Sequence, residues 1–294
     1  MQEIVVLSGK GGTGKTVVLA SFAALSRSMV LCDCDVDAAD LHLLLRPTVL
    51  ETHEFWGRPL AEIDLGKCSR CGLCLEVCRF DAIQDFRVDP FACEGCALCR
   101  QVCPEEAVSM GENLAGHWYV SDTRYGRLVH ARLGPGKENS GDLVAVVRGR
   151  ARRMAREQDA EYILSDGPPG IGCPVISSLS NVDLALIVTE PSLSGIHDLE
   201  RVLAVCGHFG VTPLVCINKH DLDEDATRRI GHYCRQAGVE VAAMIPFDAA
   251  VTEAVVQGVP LVEFSDGPAA RGIAHLWQDV VKRLGKEKQA YAHV

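Results

Sequence analysis

The sequence predicts an α/β protein in which a mostly parallel sheet carries helices on both faces and a small α+β domain is inserted. Three observations predict it. Short, fully apolar runs alternate with longer helical patterns, a glycine-rich loop joins the first run to the first helix, and a cysteine-rich stretch interrupts the alternation. Strands that are apolar throughout are buried on both sides, as in a parallel sheet sandwiched by helices.

In order, the apolar run Ile4 to Leu7 reads as a strand, 15 to 27 as a helix and Met29 to Cys32 as a second strand. After the interruption come a helix over 141–157, strands at Tyr162 to Ser165 and Leu184 to Val188, a helix over 195–207 and a strand from Thr212 to Ile217. From 117 to 133 the pattern is that of a hairpin around Arg124 to Gly126, followed by the loop GPGKENSG, where Asn139 or Ser140 is placed to cap the next helix. A final helix over 269–284 gathers Ile273, Leu276, Trp277, Val280 and Leu284 on one side. The domain reading is therefore 1–57 and 112–294 for the sheet, with 58–111 inserted.

With 294 residues, 48% of them hydrophobic, the chain can build one large core plus a satellite domain. A formal charge of -10 argues against broad binding to nucleic acid or anionic lipid. Met1 leads into the first apolar run without a basic leader, and no apolar stretch reaches membrane-spanning length, so a cytoplasmic protein is expected. In that reducing compartment the 14 cysteines read as metal ligands and buried thiols rather than disulfides.

Gly9-Lys10-Gly11-Gly12-Thr13-Gly14-Lys15-Thr16 satisfies G-x4-G-K-[ST] between a strand and a helix. Glycines let backbone N–H groups converge on phosphate oxygens at the helix N-terminus. Lys15 adds a point charge, and the Thr16 hydroxyl is a magnesium ligand. Lys10, with Gly11 and Gly12, resembles the deviant Walker A signature of the MinD/ParA family. Asp33-Cys34-Asp35 resembles that family's first switch, and Asp166-Gly167-Pro168-Pro169-Gly170 its second.

The resemblance implies a MinD-like, SIMIBI-class P-loop NTPase fold binding ATP and Mg2+. It gives Asp35 the role of orienting the attacking water and Asp166 that of supporting magnesium. Asn218 and the segment Pro246-Phe247-Asp248 match positions that hold the base. Lys10 would act across a nucleotide-sandwiched homodimer, or a heterodimer with a related ATPase, as an arginine finger does. A surface lysine on a mobile loop is the plain alternative. Asp40 departs from the Asn of some relatives. Asn218-Lys219-His220-Asp221 also satisfies N-K-x-D, which keeps GTP as a second nucleotide.

Cys68, Cys71, Cys74 and Cys78 have the spacing C-x2-C-x2-C-x3-C, and so do Cys93, Cys96, Cys99 and Cys103, with Pro104 behind. This is the bacterial-ferredoxin pattern for two 4Fe-4S clusters, in which the fourth cysteine of each run serves the other cluster. One set is then Cys68, Cys71, Cys74 and Cys103, the other Cys93, Cys96, Cys99 and Cys78. Zinc modules use paired C-x2-C units instead. Arg79 replaces the usual proline, and a cation there raises the potential of the cluster bound by Cys78.

Among the other cysteines, Cys206, Cys216 and Cys234 read as core thiols, and strand alternation explains Cys32 and Cys34. Cys173 follows Asp166 at the offset where the nitrogenase iron protein, a relative, ligates an intersubunit cluster. The loop 134–141 lacks a second cysteine, so packing is expected for Cys173. Arg148, Arg150, Arg152, Arg153 and Arg156 form a basic stripe opposite Val144, Val147, Ala151 and Ala155, read as a solvated face, with docking to an acidic partner or DNA as the alternative. The tail KEKQAYAHV lacks the apolar face of a membrane-binding helix, so the last helix is expected to pack on the sheet. The histidines form no metal-spaced group.

Together these features point to a redox-linked, Mg-dependent ATPase. Its expected partners are redox or metallocofactor-assembly proteins, and neither nucleic acid nor membrane is expected. Two other readings stand beside it: an ATP-driven electron donor resembling the nitrogenase iron protein, and a MinD/ParA-like positioning or partition scaffold.

Overall fold

The computed structural model describes residues 1–136 and 140–291, with 286–291 by backbone alone. Asn139 and the side chains of the KEKQAYAHV tail, on which two expectations fell, lie outside the described residues; Ser140 is the first residue of its helix. Among the described residues no helix is long and apolar enough to cross a membrane.

The chain runs β1 (Gln2–Ser8), α1 (Lys15–Leu25), β2 (Met29–Asp33), α2 (Leu41–Leu45) and β3 (Thr48–Trp56). Then come β4 (Leu60–Ile63), α3 (Leu73–Val77), β5 (Ile83–Gln84), β6 (Arg87–Val88), α4 (Leu98–Val102) and β7 (Val108–Gly111). It continues with β8 (Leu114–Thr123), β9 (Gly126–Leu133), α5 (Ser140–Glu157), β10 (Tyr162–Pro169), α6 (Cys173–Leu179), β11 (Leu184–Thr189) and α7 (Leu193–His208). The last elements are β12 (Thr212–Asn218), α8 (Glu224–Gln236), β13 (Glu240–Ile245), α9 (Ala250–Gln257), α10 (Leu261–Phe264) and α11 (Pro268–Tyr291).

The chain divides into two compact units. The first comprises Met1–Thr52, Trp118–Arg132 and the chain from Ser140 onward; the second comprises His53–His117 and the segment from Leu133. A nine-stranded sheet has the order β13-β12-β11-β1-β10-β2-β9-β8-β3, and it is parallel from β13 through β9. β8 and β9 are neighbours joined at Arg124–Tyr125, where the hairpin was expected.

Alternation along β1 explains why its run is apolar throughout. Ile4 and Val6 enter one core with Phe22, Leu31, Leu164, Ile273 and Trp277. Val5 and Leu7 enter a second core with Leu179, Ile187, Leu199 and Ile230, because successive side chains leave a strand on opposite faces. Ile273, Leu276, Trp277, Val280 and Leu284 of α11 are all buried in the first core, as the packing expectation required. Cys206, Cys216 and Cys234 are buried too.

The basic stripe requires correction. Val144, Val147, Ala151 and Ala155 do form the buried face of α5, but Arg148 is itself buried. Its guanidinium donates to Glu3 Oε1 from Nε (2.9 Å) and Nη2 (2.6 Å), and to the carbonyls of Ser177 and Ser180. Arg152 donates from Nε to Glu3 Oε2 (2.6 Å) and from Nη2 to the Ser180 carbonyl (2.8 Å). A buried carboxylate on β1 needs cationic partners, and α5 supplies two.

In the second unit, β4 and β7 pair antiparallel, as do β5 and β6. Its buried apolar core is small: Ala61, Cys74, Ile83, Cys99 and Val108.

Candidate nucleotide site and cysteine tetrads

The parallel strands bring the C-terminal ends of β1, β2, β10, β11 and β12 to one edge of the sheet. β1 lies between β10 and β11, so the crossover direction reverses beside it. Ligands of open α/β sheets bind at such a reversal, and the glycine-rich loop occupies it. Gly14, which precedes α1, has φ +96°, and a Cβ there would lie 2.5 Å from Asn218 Nδ2. At Gly9 a Cβ would lie 2.3 Å from Asp198 Cβ. Only glycine lets this loop turn and pack against α7.

Behind the loop, three carboxylates surround one ammonium. Lys15 Nζ lies 3.0 Å from Asp35 Oδ2 and 3.5 Å from Asp166 Oδ1. Thr16 Oγ1 donates to Asp166 Oδ2 at 2.7 Å. Asp33 accepts from the backbone N–H groups of Asp35 (3.1 Å) and Leu41 (3.3 Å), pinning the turn after β2. Burial pushes the Asp33 carboxyl well above the usual range, and repulsion from Asp166 adds to it. Asp166 is raised as well, chiefly by burial. Burial alone would lower the Lys15 ammonium, but attraction from Asp166 and Asp35 outweighs it and drives it up.

The excess of negative charge suits a divalent cation. Among the described residues Asp166 Oδ1 and Thr13 Oγ1 are buried without a hydrogen-bond partner; Asp166 Oδ1 has the 3.5 Å ion pair with Lys15 and keeps lone pairs with which to ligate a cation. Thr16 and Asp166 supply the hard oxygen donors that magnesium takes.

A cavity of about 560 Å³ opens beside the loop, within the ordinary range for small-molecule sites. Lys15, Thr16, Asp35, Asn218, Pro246 and Asp248 are among its lining residues. Asn218 also donates from Nδ2 to the Thr13 carbonyl at 2.7 Å, fastening the loop to the end of β12. Asp248 Oδ1 accepts from the Ala250 N–H, an Asx turn before α9. Asp221 accepts from the Phe247 N–H at 2.6 Å and is not among the described residues that line the cavity.

Lys10 is held within its own chain. Its Nζ lies 2.7 Å from Glu190 Oε1, 3.0 Å from Ser192 Oγ and 3.1 Å from Ser194 Oγ. Glu190 Oε2 meets Lys219 Nζ at 2.9 Å, and Lys219 also donates to the Gly12 carbonyl at 3.0 Å. Burial tends to raise the Glu190 carboxyl, but hydrogen bonds from Lys10 and Lys219 outweigh it and hold it below the usual range. Sequence reasoning missed Glu190, whose one signal was its place just after the apolar run of β11, at the binding edge.

In the second unit each cysteine set surrounds its own hollow. Cys68, Cys71, Cys74 and Cys103 line one, with Phe86. Cys78, Cys93, Cys96 and Cys99 line the other, with Phe80. Cys71 and Cys96 are exposed, while Cys74 and Cys99 are buried. Among the described residues no three of His, Cys, Asp and Glu converge as ligands of a single metal ion. Elsewhere, Cys32 and Cys34 are buried with sulfurs 3.4 Å apart. Cys173, expected to pack, is exposed at the start of α6.

Residues 4–261 match the family described as the CobQ/CobB/MinD/ParA nucleotide binding domain. The chain belongs to that family. An uncharacterized protein of Methanocaldococcus jannaschii is 33% identical, over 95% of this chain and 96% of its own. An uncharacterized ATP-binding protein of the same archaeon is 25% identical, over 98% and 92%. The septum site-determining protein MinD of Pyrococcus horikoshii, solved complexed with Mg-ADP, is 18% identical and superposes with a TM-score of 0.58 over 97% of each chain. This likeness shows a shared fold. As a member of the MinD/ParA nucleotide-binding family, the chain is a P-loop nucleotide-binding protein, as its glycine-rich loop led us to expect.

Proposed function

We propose that the chain is a Mg-dependent ATPase carrying two 4Fe-4S clusters, and that it acts in maturation or redox control of metalloproteins. The observation that carries this reading is that the two hollows of the second unit are each lined by four cysteines. Those fours are the sets that the crossed ferredoxin spacing dictates, with Cys103 joining the first run and Cys78 the second. A four-iron cluster spreads its ligands around a cube, unlike the convergent ligands of one ion.

The size of the second unit supports the same reading, since its buried core holds few side chains and two of them are cysteines. A core this small supplies only a few kcal/mol, and bound metal is one common supplement in domains of such length. When bound, the clusters would accept and release single electrons, and magnesium would neutralise phosphate charge.

In the nucleotide unit we assign Lys15 and the loop Gly9 to Thr16 to the phosphates, and Thr16 and Asp166 to magnesium. Asp35 orients water, while Asn218, Pro246 and Asp248 hold the base. Lys10 is given the trans-acting role in a nucleotide-dependent dimer. ATP is favoured over GTP because Asp221, the residue that would read guanine, is not among the described residues that line the cavity, whereas Asn218, Pro246 and Asp248 are.

An electron-donor role is the second reading. The exposure of Cys71 and Cys96 favours it, because each would bring a cluster corner to the protein surface. Anaerobic reconstitution followed by iron and sulfide analysis tests the proposal. About eight irons per chain are expected, as two clusters require, with half of them lost in Cys71→Ala while nucleotide binding persists. One iron per chain would sink it.

A further inference from the structure

We infer that Glu190 is a latch that holds Lys10 in its own subunit and thereby opposes the closed, hydrolysis-competent dimer. The inference rests on the trans-acting role proposed for Lys10. An ammonium has three N–H donors and no acceptor. Those of Lys10 are all engaged in cis, by Glu190, Ser192 and Ser194. The Lys10 and Glu190 side chains are 30% and 21% exposed, so the contact is partly shielded from solvent. It is a charge-assisted bond of the stronger kind.

The latch reaches further than one lysine. Glu190 spends its second oxygen on Lys219, which also holds the Gly12 carbonyl. One carboxylate therefore bridges a cation inside the glycine-rich loop and a second cation bonded to that loop's backbone. For Lys10 to reach a phosphate bound by another subunit, its bond to Glu190 must break, and the incoming phosphoryl oxygen takes the place of the carboxylate. Both acceptors are anions, so the exchange is graded by charge. A triphosphate offers more negative charge to a neighbouring lysine than a diphosphate does, which gives Glu190 a means of making dimer closure selective for the triphosphate state.

The two serines divide the task unequally. Ser192 also caps α7 by accepting from the Gly195 N–H, so its removal would disturb the helix. Ser194 lies one residue inside that helix, and among the described residues its hydroxyl makes the exposed bond to Lys10 and a long contact of 3.4 Å with Ser192. It can be truncated with little structural consequence.

The test measures self-association by sedimentation velocity for the parent protein, Glu190→Gln and Ser194→Ala, each with ADP and with a non-hydrolysable ATP analogue. Glu190→Gln keeps the shape and removes the charge. The dimer with the ATP analogue should form at least about tenfold more tightly, because one charge-assisted hydrogen bond in each of its two subunits no longer opposes closure. Ser194→Ala should shift in the same direction by a smaller factor, and it carries the test if Glu190→Gln does not fold. A merely structural role predicts the opposite sign, a weaker dimer with a lowered melting temperature. If the parent dimerises with the analogue and neither variant does so more tightly, the latch is wrong while the role of Lys10 survives. If neither parent nor variants associate, both ideas fall together.

Discussion

Removing the carboxylate of Glu3 should destabilise the sheet-bearing unit far more than an ordinary surface substitution. Glu3 accepts two hydrogen bonds from Arg148 and one from Arg152, and the side chains of Glu3 and Arg148 are only 5% and 3% exposed. Breaking a buried pair by deleting one partner costs about 3–5 kcal/mol, because the remaining charge is stranded. Arg148 keeps two carbonyl acceptors and Arg152 is 26% exposed and can rehydrate, so Glu3→Ala belongs near the lower end, about 3 kcal/mol. The bonds of the Glu3 backbone survive the substitution, its N–H donating to Asp183 Oδ2 and its carbonyl accepting from the Asp183 N–H. In a unit of this size the loss corresponds to a fall in Tm of roughly 6–12 °C. Urea unfolding followed by tryptophan fluorescence would report it through Trp277, which is buried in the core. The double variant Glu3→Leu, Arg148→Met should recover much of the loss, since a buried pair can be replaced by apolar side chains at little cost. A loss below about 1 kcal/mol for Glu3→Ala, or strict additivity in the double variant, would refute the argument.

Two further outcomes are expected. Lys15→Ala should weaken nucleotide binding at least ~100-fold by calorimetry, because it leaves Asp35 and Asp166 without their shared cation; binding within tenfold of the parent would contradict the phosphate role. His130, stacked on Tyr119 and hydrogen-bonded to Ser121, is pushed from 6.5 down to about 4, by burial and then by His42. Its folded value is depressed, so the unfolded chain binds the extra proton between these limits. Stability should fall as pH drops from 6.5 toward 4, by up to about 3 kcal/mol. Denaturation curves for His130→Gln should show a flatter acid limb, and an unchanged limb would remove His130 as its cause.

Much of this architecture was legible because it is carried by local patterns. The run Ile4 to Leu7 followed by Gly9 to Thr16 fixes a strand, a phosphate loop and a helix start within a few turns of chain. Cysteine spacing likewise predicts which fours gather, although members of each set come from different runs. What escaped were pairings between distant residues. Periodicity put Arg148 on the polar side of α5, but only the fold brings Glu3 of β1 to meet it. Glu190 and Lys10 are as far apart in sequence, and nothing near either one foretells the other. Cys173 was expected to pack because the loop 134–141 offers it no second cysteine, whereas α6 presents it at its exposed first position.

The place of β1 in the sheet has a consequence for how the protein is made. Both neighbours of this central strand, β10 and β11, lie more than half the chain away. At about 5–20 residues per second, a ribosome leaves β1 without partners for roughly ten seconds or more. Throughout that interval its edges are open templates for wrong pairing. Residues 53–117 emerge well before β10. With the segment from Leu133 also made before β10, the cysteine-bearing unit can finish folding on the nascent chain while the sheet that surrounds the phosphate loop is still incomplete, so its cysteines gather in a polypeptide not yet able to bind nucleotide.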